Sequence, residues 1–103
     1  MKIQLLYFDG CPHWSAMDER LRQALAISGS AETVDYILIE TPQAADEYRF
    51  AGSPSIRLNG RDPFPTTSDG FGLTCRVYST PDGPAGAPTV EQLLAAIWKF
   101  NTE

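Results

Sequence analysis

Ile3-Gln4-Leu5-Leu6-Tyr7-Phe8-Asp9-Gly10-Cys11-Pro12-His13-Trp14 is the stretch on which the reading of this chain turns. Ile3 to Phe8 is nearly continuous in apolar residues, the pattern of a central strand covered on both faces. Asp9-Gly10 breaks it. Pro12 suits the first turn of a helix, where a missing N–H costs nothing. Trp14, Met17, Leu21, Ala24 and Leu25 then recur at helical spacing, with the helical run over Ala16 to Ile27 and a stop at Gly29. Cys11 therefore falls at a strand-to-helix turn. The first N–H groups of a helix lack intrahelical partners, and the dipole adds partial positive charge there. Both favour thiolate over thiol, and the thiolate is the nucleophile and the soft-metal ligand.

Working outward, Thr33 to Ile39 is rich in β-branched and aromatic residues and reads as a second strand. The β-α-β order predicts a parallel pair. Thr41-Pro42 reads as N-cap and first position of a second helix, running to about Tyr48 or Phe50, with a stop at Gly52. Ser55 to Leu58 follows as a short strand, ending at the turn Asn59-Gly60. Leu73 to Tyr78 is expected as a fourth strand, antiparallel to the third. Asp62 to Gly72 and Ser79 to Pro88 read as loops. Thr89 caps a last helix over Val90 to Phe100, and Gln92 completes a capping box.

Length and composition set further bounds. At 103 residues the chain reads as a single domain spanning 1–103. A net charge of −5, without a dense basic run, argues against a nucleic-acid partner. No apolar stretch approaches the ~20 residues of a membrane span. The N-terminal segment has no small-residue cleavage site after an adequate apolar core, so it reads as a buried strand rather than a signal peptide. The cytoplasm is the expected compartment. Two cysteines are too few for a disulfide scaffold there.

Cys-Pro at the first strand–helix junction, together with this element order and with Gly52-Ser53-Pro54-Ser55-Ile56, resembles the thioredoxin-like family, including its bacterial members. The resemblance spans nearly the whole chain. It implies a thioredoxin-like α/β fold, a four-stranded mixed sheet flanked by helices on both faces. It implies a cis-proline at Pro54 beside the reactive cysteine. Cys11 matches the nucleophilic cysteine, Pro12 and His13 the inner pair of a Cys-Pro-His-Cys variant, and Pro54 the substrate-contacting proline. Ser53 would offer backbone groups to an extended peptide. The chain departs from the family in two places. Trp14 stands where the resolving cysteine belongs, and Leu5 stands where a buried carboxylate is usual, so cycling through positions 11 and 14 is impossible.

Three functions follow as expectations. The first is single-thiol redox chemistry, in which Cys11 and His13 are catalytic and Pro12, Trp14, Ser53 and Pro54 bind substrate. The partner would be a protein or small-thiol disulfide, with no resident cofactor and with glutathione as candidate co-substrate. The second is a non-catalytic binding module on the same scaffold. The third is soft-metal or organomercurial handling by a lone thiolate. One His and two Cys do not make a zinc site, so no metal ligands are assigned.

Individual residues carry a plainer alternative. Trp14 is a wall of a binding cleft or ordinary core. Arg57 and Arg76, on expected neighbouring strands, are carboxylate binders for a glutathione-like ligand or simply solvated. Cys75 is expected to be a buried structural cysteine, too far from Cys11 to bridge it.

Overall fold

The computed structural model describes residues 1–30, 32–64 and 71–101. In chain order the elements are β1 (Ile3–Tyr7), α1 (Trp14–Ser28), β2 (Val34–Leu38), α2 (Pro42–Glu47), β3 (Ser55–Leu58), β4 (Tyr78–Thr80), β5 (Gly83–Ala85) and α3 (Val90–Asn101). β1 is central to a three-stranded sheet of order β2-β1-β3. It runs parallel to β2, with Leu5 opposite Tyr36, and antiparallel to β3, with Leu5 opposite Ile56.

The alternation of β1 divides the interior in two. Ile3 and Leu5 face Met17, Leu21, Ala24 and Leu25 of α1, Leu93 and Ile97 of α3, and Ile56 and Leu58 of β3. Leu6 points the other way, into a smaller cluster with Ile39, Ala45 and Phe50. That explains the unbroken apolar run: a strand buried on both faces has no polar side to show.

Local chemistry sets the helix ends. Gly29 closes α1 in the left-handed conformation at φ 71°, with Ser30 N–H returned to the Leu25 carbonyl at 3.0 Å. Thr41 Oγ1 accepts from Ala44 N–H at 3.0 Å to start α2. Thr89 and Gln92 exchange reciprocal side-chain-to-backbone bonds of 2.9 and 3.1 Å, the capping box that starts α3. α1 begins later than Pro12 suggests: His13 is its N-cap, so Pro12 precedes the cap. α2 ends earlier than Gly52, because Arg49 turns left-handed at φ 53°.

The expected four-stranded sheet does not form. The sheet has three strands, and a separate two-stranded ribbon, β4–β5, pairs Tyr78 with Ala85 and Thr80 with Gly83. Nor does a helical layer cover each face. Among the described residues α1 and α3 share one side, while the other carries the six-residue α2, the turn at Phe50, and Phe8 and Leu73 packed beside them.

The reason lies in Arg76. It is 5% exposed, and its guanidinium meets Asp62 at 2.5 Å, Ser55 Oγ at 3.2 Å and the Phe64 carbonyl. A charge held at that depth pins residues 74–76 across one point of the chain, Ser53, instead of along β3. The contact is a single parallel bridge between Ser53 and Cys75. Asn59-Gly60 does turn as expected, with φ of 53° and 81°, but the return is one bridge from Leu58 to Arg61. The Asp62–Gly72 loop lies partly outside the described residues.

Candidate functional site

Cys11 follows β1 by four residues, and its N–H is bonded to the Phe8 carbonyl at 3.2 Å. The side chain is 0% exposed, and its thiol donates to the Ser53 carbonyl at 3.4 Å. Ser53 is equally buried, and its Oγ accepts from Phe8 N–H at 3.2 Å. These two bonds tie the cysteine turn to the residue before Pro54. The Ser53–Pro54 peptide is cis, as the resemblance implies. Tyr78 Oη donates to the Pro54 carbonyl at 2.5 Å. The Tyr78 phenol is raised well above its ordinary range, first by burial, with Asp62 adding and the Arg76 charge opposing.

The backbone of Ser53 is fully used. Its N–H donates to the Thr74 carbonyl at 2.7 Å, and its carbonyl accepts from Arg76 N–H at 2.9 Å as well as from the Cys11 thiol. The groups expected to hold an extended substrate peptide instead hold the chain's own 74–76 segment. Gly52 permits the approach. A Cβ built there would lie 3.0 Å from Arg76 Cβ, and its φ of 127° is open only to glycine.

This crossing sets Cys75 against Ser53, the residue to which the Cys11 thiol is bonded, where the expectation had it remote from the site. Cys75 is exposed rather than buried, and both cysteines are free thiols. The Cys75 thiol has its pKa raised, first by hydrogen bonding with Cys11, then by partial desolvation, then by the charge on Cys11. Sequence reasoning failed here because it assumed a strand antiparallel to β3, which would bring Tyr78 rather than Cys75 toward the site. The available signal was Pro81-Asp82-Gly83, a turn sequence inside the supposed loop. It starts the ribbon at Tyr78 and so frees residues 73–77 to cross Ser53.

The remaining expected residues lie around this centre with unequal parts. Pro12 and His13 are exposed. The His13 ring packs on Gly86, where an added Cβ would come within 2.4 Å of it. Trp14 is half-buried and stacks on Tyr7, with ring centroids 4.5 Å apart, while packing on the main core. Leu5 is fully buried. Arg57 donates to the Tyr48 and Arg49 carbonyls and Arg76 is paired with Asp62, so the two do not form a carboxylate clamp. A cleft of about 220 Å³ opens beside the cysteine turn, lined in part by Asp9, Gly10, Glu40 and Leu73.

Among the described residues no group of three or more His, Cys, Asp or Glu is placed to hold a metal ion. No helix among them is long and apolar enough to cross a membrane. Compared with known proteins, the chain matches no family model, no curated protein and no solved structure.

Proposed function

We propose that the chain is a thiol–disulfide exchange protein whose site resembles that of the thioredoxin-like family, with Cys11 as a redox sulfur. Its substrate is a protein or small-molecule disulfide. The observation that carries this reading is the free Cys11 thiol, held on the carbonyl of Ser53 after a central strand, with a second free cysteine, Cys75, bridged to that same residue. Cys11 donates its thiol to a backbone carbonyl rather than resting on apolar atoms alone.

Exposed His13, the N-cap of α1, is the proton donor or acceptor to a departing thiol. At the start of α1, Pro12 and His13 are exposed and Trp14 is half-buried, whereas Ser53 and Pro54 are buried. Glutathione is the natural co-substrate, and the cytoplasm, which keeps thiols reduced, the natural compartment. The acidic surface, with net charge −5, supports a partner other than nucleic acid.

Equilibration in glutathione buffers of graded potential tests the reading. Thiol content should fall as the buffer becomes oxidising and return with reduced glutathione. Two thiols that persist unchanged through hours in oxidised glutathione would refute it.

A further inference from the structure

We propose that Cys11 and Cys75 are one dithiol/disulfide couple, in which Cys75 meets the external disulfide and Cys11 resolves it. The inference rests on the thiol-exchange reading and goes further by assigning the second sulfur and the order of attack.

Three independent features place the pair. Residues 74 and 76 bond to both backbone groups of Ser53, so Cys75 is the residue bridged to Ser53. Cys11 donates to the carbonyl of that same Ser53. Arg76, fixed by Asp62 and Ser55, keeps the crossing segment in place. The Cys11 sulfur and the backbone on either side of Cys75 thus meet at one peptide group from different parts of the chain. The order of attack follows from exposure. Cys11 has no accessible surface, whereas Cys75 is exposed, so an incoming disulfide reaches Cys75 first.

The steps balance. Cys75 loses its proton to solvent, and its thiolate attacks an external disulfide R–S–S–R. A Cys75–S–S–R bond forms, and one R–S⁻ leaves and is protonated. Cys11, deprotonated in turn, attacks the Cys75 sulfur. The Cys11–Cys75 bond forms and the second R–S⁻ leaves. One external disulfide is reduced to two thiols while two protein thiols are oxidised to one disulfide.

Oxidised glutathione is the probe, with acid quenching, alkylation and peptide mapping by mass spectrometry. Wild-type protein should end as the internal Cys11–Cys75 disulfide with no glutathione retained. Cys11→Ser should accumulate glutathione on Cys75. Cys75→Ser, a change at an exposed position, should be modified at Cys11 at least tenfold more slowly than the wild type loses its thiols. A wild-type product carrying glutathione on Cys11 with Cys75 still free would overturn the couple, as would a Cys75→Ser protein modified at Cys11 at the wild-type rate. Either result leaves thiol exchange at Cys11 standing. Wild-type thiols that are not consumed at all would overturn both. The wild-type product decides the pairing without any substitution.

Discussion

The β1–α1 junction and the 72–85 segment supply one sulfur each, but they are built on different principles. The junction follows its own sequence: a strand buried on both faces, a glycine break and an amphipathic helix set the path of the Cys11 turn, and two bonds to Ser53 then tie it down. The crossing segment is held instead by contacts distant in sequence: one bridge to Ser53, Gly72 N–H on the Phe50 carbonyl, Tyr78 Oη on the Pro54 carbonyl, and a buried guanidinium that reaches back to Asp62 and Ser55. One cysteine sits on a frame of regular elements, the other on a strap held by contacts distant in sequence.

Arg76→Ala would break that contrast most severely. It removes the anchor of the strap and leaves the Asp62 carboxylate, about 29% exposed, without its partner. The expected loss is about 2–3 kcal/mol in urea unfolding, under the roughly 3–5 kcal/mol of a fully buried pair because Asp62 retains some solvent. Iodoacetamide labelling of Cys11 should rise at least tenfold under native conditions. Labelling that stays at the wild-type level would mean that something other than the strap shields Cys11.

Thr41→Ala examines the frame instead. It deletes the cap on α2, a contact remote from the crossing. A loss of about 1 kcal/mol is expected, with Cys11 labelling unchanged once the global stability difference is allowed for. A parallel rise in labelling would show that frame and strap open together, erasing the distinction.

The smallest effect is kinetic. Cys75 has a raised pKa, so its alkylation should climb with pH through a midpoint above that of an ordinary thiol. Hydrogen bonding with Cys11 is the leading cause, and Cys11→Ala should therefore move that midpoint down. The linked stability has a definite sign. With the folded value raised, the contribution is whole below the ordinary thiol range and is lost as pH rises through the folded value. An unmoved midpoint in Cys11→Ala would place the cause in desolvation alone.

What the sequence disclosed follows the same division. β1, β2, β3 and the caps at Thr41 and Thr89 were legible because each depends on residues a few positions apart. Cys11 and Ser53-Pro54 were legible as a pair through resemblance, and the bond between the Cys11 thiol and the Ser53 carbonyl joins them. The path of residues 73–77 was not. Leu73-Thr74-Cys75-Arg76-Val77 has strand composition, and nothing local says that Arg76 will be buried against Asp62, 14 positions earlier. That one pairing decides between a fourth strand and a crossing, and with it whether Cys75 lies far from Cys11 or beside it. The ribbon after it hid for the opposite reason: two prolines and two glycines in Pro81 to Gly86 masked six residues that pair.

Because the Ser53 peptide group is already bonded to residues 74 and 76, any foreign peptide must compete with a ligand that the chain carries on a tether. A tethered segment acts at an effective concentration on the order of millimolar when its linker spans the gap. Free peptides of lower affinity will not displace it at equilibrium. The Ser53 peptide group is therefore closed to casual occupants for as long as the strap stays in place.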